Sequence, residues 1–126
     1  MDNLFKVLQK YQGLSYICGV NDCNLMMLEI NDFDTSKVPQ FRTIREGRNA
    51  LIEATGSPTQ GDYLLSQGYL FITPYEATDG AVFSSGIHCF IYYNGMLFGV
   101  MRETNTFGFM SFDINNLSKF KIYKRS

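Results

Sequence analysis

Two side chains of this sequence could act together as a nucleophile and a base: the thiol of Cys23 and the imidazole of His88, the single histidine. Cys23 follows Asp22 and precedes the apolar run NLMMLEI, and Asn21 or Asp22 is placed to cap a helix there. A helix N-terminus carries partial positive charge and free N–H groups, which stabilise a thiolate. A thiol on a helix tip beside a histidine on a strand suits nucleophilic attack on an acyl group. The pattern therefore predicts thiol chemistry at residue 23.

The cysteines also have a plainer interpretation. Free cysteine is among the most frequently buried residue types, so Cys23 could simply fill the core. Alternation along a strand sets Cys89 on the opposite face from His88, and Cys18 precedes a turn, so we interpret both as packing residues. Four residues separate Cys18 from Cys23, and one histidine leaves a zinc ligand set incomplete. No metal and no other cofactor is therefore predicted.

Composition limits the class of protein. A chain of 126 residues suits one domain, over residues 1–126. With 11 Lys plus Arg against 12 Asp plus Glu, it lacks the positive field that nucleic acid requires. No apolar run approaches the about 20 residues of a membrane span, and the start MDNLFKVLQKYQ does not resemble a signal peptide. We expect a protein made in the cytoplasm, without a signal peptide, nucleic acid or membrane insertion.

The helices that must position the thiol come first in the chain. Apolar spacing predicts an amphipathic helix over residues 3–11 and a second helix over 23–32, whose first turn holds Cys23. The segment TIREGRNALIEATG predicts a surface helix that ends at Gly56. A short helical stretch then begins in GDYLLSQ, and the apolar period shortens to two after Gly68.

Strands follow the helices. Four apolar runs lie between residues 80 and 124, namely AVFSSGIHCFIYY, MLFGVMRE, FGFMSFDI and FKIYKR. Turn residues separate them, as is typical of an antiparallel meander, and Asn94-Gly95 is a strong hairpin signal. His88 falls inside the first run. The order of elements predicts an α+β fold in which a Cys-bearing helix packs on a β-meander.

Three motifs resemble one known family. YICGVNDCNLMMLEI resembles the segment Y-x-x-G-x-x-D-C-x-x-L that opens the catalytic helix of NlpC-like papain-fold cysteine peptidases. DGAVFSSGIHCFIYYNG resembles their later signature, a G-D-x-V-x-F strand leading to H-V-G-I-Y-x-G-N-G, with Asp79 and Gly80 transposed and one residue deleted. FRTIREGRNAL, residues 41–51, is similar to a helix of small phage and prophage proteins of this superfamily. The resemblance runs from about residue 16 onward.

The resemblance implies a papain-like fold and a set of roles. Cys23 would be the nucleophile and His88 the general base, attacking a peptide or amide carbonyl through an acyl-thioester. Asp22 would be the acid adjacent to an oxyanion site, which backbone N–H groups at the helix tip would form. Members of the family usually cleave cell-wall peptides, so peptidoglycan peptides are the implied substrates.

Such peptidases carry a third polar residue, on the strand after the histidine, that orients the imidazole. The two-residue NG loop pairs Tyr93 with Met96 and sets His88 opposite Met101, which cannot accept an imidazole N–H. Glu103, two positions on, is the nearest polar residue of that face and is our predicted orienter, with a surface charge as the alternative. The sequence therefore supplies two triad members and leaves the third open.

Two functions follow from this resemblance. In the first, the chain is a phage tail- or virion-associated protein that uses the papain-like fold as an assembly component and binds other virion or tail proteins. In the second, it is an active thiol hydrolase that cleaves peptide or amide bonds of peptidoglycan. The first function expects exposed aromatic side chains. Its candidates are Tyr63, Tyr69, Phe71, Tyr75, Phe107 and Phe109.

Overall fold

The structure is a computed structural model, and it describes residues 3–125. In that range four α-helices precede six strands. The helices are α1 (Leu4–Tyr11), α2 (Cys23–Ile30), α3 (Ile44–Thr55) and α4 (Gln60–Ser66). The strands are β1 (Tyr69–Ile72), β2 (Val82–Ser84), β3 (Cys89–Tyr93), β4 (Met96–Met101), β5 (Thr106–Met110) and β6 (Lys121–Arg125). The strands form one antiparallel sheet, so the predicted α+β class is confirmed.

Local capping sets the start of α2 and both ends of α3 where the sequence predicts them, whereas α2 ends at Ile30, two residues earlier than predicted. Asp22 precedes α2, and its side chain accepts a hydrogen bond from the N–H of Leu25. Thr43 caps α3 in the same way through the N–H of Glu46. Gly56 ends α3 in the left-handed conformation, with φ of 76°, as its position in the sequence predicts.

Helix α2 is the centre of the core. It contacts α1 on one side and β3 on the other. Its buried residues lie around most of its circumference and are Cys23, Met26, Met27, Leu28 and Ile30. An apolar helix enclosed on both sides is held rigidly, because each turn packs against a neighbour. The thiol therefore starts from a well-fixed backbone.

The sheet is more than a meander. Its strand order is β1-β6-β2-β3-β4-β5, so β2 to β5 run as consecutive hairpins but β6 lies between β1 and β2. The prediction of a simple meander is wrong at this point. A meander follows from local turn signals, whereas the position of β6 depends on pairing between distant segments, such as Ile72 with Ile122.

The first apolar run is two strands and not one. β2 and β3 pair across a tight turn whose loop residues are Gly86 and Ile87, with the N–H of Ser85 bonded to the carbonyl of His88 at 2.9 Å. Gly86 has a φ of 95°, which favours glycine at the first loop position of such hairpins. His88 therefore lies at the end of a turn. Our prediction, which placed it within a strand, is wrong on this point.

Both faces of the sheet are covered by apolar residues. The helices pack on one face, against Val82, Ile91, Phe98 and Phe107. Phe83, Leu97 and Ile122 lie in a second cluster, which loops cover. Of the six aromatic residues expected at an interface, Tyr63, Tyr69 and Phe107 are buried and Phe109 is half-buried, because a core with two clusters holds more rings than the chain length suggests. Phe71 and Tyr75 remain exposed.

Candidate active site

Cys23 is the first residue of α2, and its turn is built around Asp22. The Asp22 carboxylate accepts the N–H of Leu25 at 3.0 Å through one oxygen and that of Gly19 at 2.7 Å through the other. The residue is 2% exposed. One carboxylate oxygen therefore caps the helix, and the other fixes the loop before it. A carboxylate that accepts hydrogen bonds cannot donate one to an oxyanion, so the structure assigns Asp22 a structural part in the site.

Gly19 explains the glycine of the motif. Its φ is 81°, and a Cβ built there would lie 1.8 Å from the carbonyl oxygen of Phe41. Any side chain at this position would therefore push the segment before α3 away from the turn before α2. The close approach holds together the two loops that border Cys23.

His88 meets the thiol from the other side. Its Nδ1 lies 4.0 Å from the Sγ of Cys23, at the outer limit for a hydrogen bond to sulfur. Catalytic pairs are often this long before substrate binds. The N–H of His88 donates to the Oγ of Ser85 at 3.2 Å, which fixes the backbone of the turn. The structure thus brings together the two residues that the sequence paired across 65 positions.

Cys89 belongs to the site as well. Its N–H donates to the Sγ of Cys23 at 3.3 Å, and its thiol donates to the Cys23 carbonyl at 3.2 Å. The packing interpretation is right about its burial, since it is 1% exposed. Strand alternation could not reveal the contact, because the strand begins at Cys89 and His88 lies outside it. The serine and glycine residues before His88 were the sequence signal that a turn, and not a continuous strand, lies there.

These neighbours favour the charged form of the thiol. The pKa of Cys23 is lowered to about 6, chiefly by the neighbouring Cys89 side chain and then by hydrogen bonds from His88 and the Cys89 N–H. Burial and the negative charge of Asp22 act in the opposite direction. The hydrogen bond to Cys23 raises the pKa of His88. Near neutral pH the pair therefore tends towards thiolate and imidazolium.

The tip of α2 offers donors for an oxyanion. Cys23 and Asn24 occupy the first two helical positions, whose N–H groups have no carbonyl partner within the helix. Asp22 caps the third, that of Leu25. Two N–H groups beside the sulfur are the type of donor that stabilises a tetrahedral intermediate.

A cleft of about 750 Å³ opens over the pair. Cys23 is 2% exposed and forms part of its floor, whereas His88 is exposed at its side. Arg102, Glu103 and Lys119 bring charge to the walls. A cavity of this size accommodates a short segment of peptide or a comparable acyl compound.

Glu103 does not hold the imidazole. It is exposed in the turn between β4 and β5 and lines the cleft, with no hydrogen bond to the His88 ring among residues 3–125. The register is as predicted, with Tyr93 opposite Met96, but the ladder ends at Ile91 and Phe98. Met101 pairs instead with Thr106 of β5. Because the strands separate before reaching His88, the predicted diagonal contact is not made, and the orienter role is not supported.

Two other properties concern the same described residues. Within residues 3–125 no group of three or more His, Cys, Asp or Glu side chains is arranged to hold a metal ion. No helix of that range is long and apolar enough to cross a membrane.

Comparisons of the chain with protein-family models, curated proteins and solved structures find no match.

Proposed function

We propose that the protein is a thiol hydrolase that cleaves peptide or amide bonds, with a papain-like arrangement of the NlpC type. The observation that carries the proposal is the 4.0 Å approach of the Cys23 Sγ to the His88 Nδ1 at the floor of an open cleft. The thiol is at a helix N-terminus, and both neighbouring residues, His88 and Cys89, favour its thiolate.

The chemistry follows from these positions. The Cys23 thiolate attacks the carbonyl carbon, and the C=O electron pair moves to oxygen, which the N–H groups of Cys23 and Asn24 stabilise. The imidazolium of His88 gives its proton to the leaving amine as the C–N bond breaks. Neutral His88 then takes a proton from water, whose oxygen attacks the thioester. The acid is released and Cys23 returns as thiolate.

The cleft suggests what kind of acyl group fits. Exposed Ile44 offers apolar contact at one wall, while Arg102 and Lys119 offer positive charge and Glu103 offers negative charge. Peptides with both apolar and carboxylate groups have complementary chemistry. Peptidoglycan peptides satisfy this description, and the family resemblance supports them as substrates.

Acylation of the thiol by p-nitrophenyl acetate tests the proposal before any natural substrate is known. We expect one acetyl group on Cys23 at pH 7, located by peptide mass spectrometry, together with a burst of nitrophenol. Cys23→Ala should abolish both signals. Cys18→Ala removes a half-buried thiol outside the pair and should leave them unchanged. A wild-type protein that is acetylated no faster at Cys23 than at Cys18 would contradict the proposed function.

A role as a phage tail or virion component is a separate proposal, and the same resemblance supports it. Leu70, Phe71 and Tyr75 are 55, 64 and 79% exposed, and the first two lie on the edge strand β1. An apolar edge strand is a common place for another subunit to pair. Replacing Leu70 and Phe71 with Lys should abolish co-purification with phage particles if this surface serves assembly, whereas acetylation of Cys23 should be unaffected.

A further inference from the structure

We propose that Gln60 is a positioning residue of this site, because its side chain ties the turn that carries His88 to the helix tip that carries Cys23. The inference rests on the proposed function and adds a residue that neither the motifs nor the resemblance indicates. Gln60 is the first residue of α4 and is 2% exposed, which is unusual for a glutamine.

The carboxamide of Gln60 makes contacts in two directions. Its Nε2 donates to the Oδ1 of Asn24 at 2.6 Å, next to Cys23 on α2. The same nitrogen lies 3.4 Å from the carbonyl oxygen of Ile87, next to His88 in the turn. One buried group thus bonds to the chain neighbour of each member of the pair.

The other end of the carboxamide reaches the turn through Ser84. The Oε1 of Gln60 accepts a hydrogen bond from the Ser84 hydroxyl. The Oγ of Ser84 in turn accepts a hydrogen bond from the N–H of Gly86 at 3.1 Å. Ser84 is 5% exposed, so water competes little for these bonds. The turn is therefore held at Ile87 by Gln60 directly and at Gly86 through Ser84.

Only a carboxamide provides this pattern. Gln60 donates to Asn24 and Ile87 and accepts from Ser84, so the position needs donors and an acceptor together. A leucine has similar bulk and neither function, and it would leave the Ser84 hydroxyl and the Asn24 oxygen without this partner. Buried polar groups that lose a partner rearrange or unfold locally.

The consequence concerns the thiol and the imidazole. Their separation of 4.0 Å is already at the limit for a hydrogen bond, so a small outward shift of the turn would break it. No hydrogen bond among residues 3–125 holds the His88 ring from its far side. The backbone of the turn must therefore set the place of the ring, and Gln60 sets the place of the turn.

The test uses the only histidine of the chain as its own reporter. The His88 imidazole gives a single set of NMR signals for titration, and iodoacetamide labelling followed by peptide mass spectrometry gives the rate at Cys23 against pH. The variant is Gln60→Leu. Gln67→Leu is the matched control, because Gln67 is exposed at the other end of α4.

We expect Gln60→Leu to raise the labelling midpoint of Cys23 from about 6 towards the ordinary thiol value of about 8.5. Labelling at pH 6 should slow about fivefold, allowing for the greater nucleophilicity of a more basic thiolate. The His88 titration should move down towards 6.5. In a His88→Ala background the same substitution should have little further effect, since the pair is already lost.

Two outcomes would overturn the inference: a folded Gln60→Leu protein whose His88 titration and Cys23 profile match those of the wild type, or equal losses with and without His88. If Gln60→Leu does not fold, Ser84→Ala, which removes the bonds to Gln60 and Gly86, and Asn24→Ala, which removes the bond to Gln60, must show the same direction of change. The proposed function fails separately if the wild-type protein and His88→Ala show the same labelling of Cys23.

Discussion

The two ends of β3 carry turns of the same length but of different origin. At the C-terminal end of β3, which is far from Cys23, Asn94 and Gly95 form the far turn. Their φ values are 52° and 79°, the backbone that an Asn-Gly hairpin prefers. At the near end, Gly86 and Ile87 form the loop that presents His88. The far turn is determined by its own two residues. The near turn is bonded to Gln60, which is distant in sequence, and it presents His88, the base of the proposed function.

The two turns also differ in their contacts with the rest of the chain. The Asn94-Gly95 turn is exposed, and its contact outside the hairpin is the bond from the Asn94 N–H to Asp79 at 2.8 Å. The Gly86-Ile87 turn is tied to α2 and α4 by buried polar groups. A turn that must hold a side chain to within a fraction of an ångström requires such support.

The largest expected effect is the loss of deacylation in His88→Ala. Without the imidazole no base activates water, so the acetyl-thioester of Cys23 should persist about 100-fold longer. Intact-mass measurements over time after brief exposure to p-nitrophenyl acetate check this. Met96→Ala, at the opposite end of the hairpin, is the control and should release the acetyl group at the wild-type rate. Equal lifetimes in His88→Ala and wild type would remove His88 from the mechanism.

Cys89→Ala should have the next effect, on the pH profile of Cys23. The Cys89 side chain is the main cause of the lowered pKa of Cys23, so its removal should move the labelling midpoint upward from about 6. The thiolate that is present above this midpoint in the wild type is then replaced by thiol between the old and new values. Labelling at pH 6 should slow about fivefold.

Cys89→Ser is the matched partner of that variant. A serine hydroxyl can donate where the thiol does, and the Cys89 N–H bond to the sulfur is retained in both proteins. We expect Ser to keep most of the low midpoint that Ala loses. Iodoacetamide labelling from pH 5 to pH 9 distinguishes them, and a serine variant that falls as far as alanine would show that packing, and not hydrogen bonding, is responsible.

Gly86→Ala and Gly95→Ala compare the two turns directly. Both glycines have positive φ, and a Cβ at either position would meet nothing within 4 Å, so the cost is conformational in both cases. Urea denaturation should show similar losses of about 1 to 2 kcal/mol in the free energy of unfolding. Only Gly86→Ala should also slow the labelling of Cys23 at pH 6. Equal labelling in the two variants would mean that the turns are equivalent.

Asp79→Ala should have the smallest effect. It removes the acceptor of the Asn94 N–H at an exposed site, so the free energy of unfolding should fall by about 0.5 kcal/mol. Cys23 labelling should not change. A change in the Cys23 profile would reveal that the far turn influences the site through β3.

The sequence predicted what short-range signals determine. A cap at Asn21 or Asp22, Gly56 as helix end and Asn94-Gly95 as hairpin loop are all local, and all are confirmed, with Asp22 as the cap. The pairing of Cys23 with His88 could be inferred from residue types because the chain offers one histidine. Contacts between segments that are distant in sequence could not be predicted from the local residue pattern. These are the insertion of β6, the early separation of β3 from β4 near Glu103, and the bonds of Gln60.

The position of β6 has a consequence for the order of folding. β1 stands at the edge of the sheet and, of the strands described, pairs with β6 alone, which is far along the chain. Closing that long loop is slow compared with forming the local hairpins. Helix α4, which carries Gln60, contacts both β1 and β6. The arrangement that we propose for Cys23 and His88 should therefore be completed only in the last stage of folding.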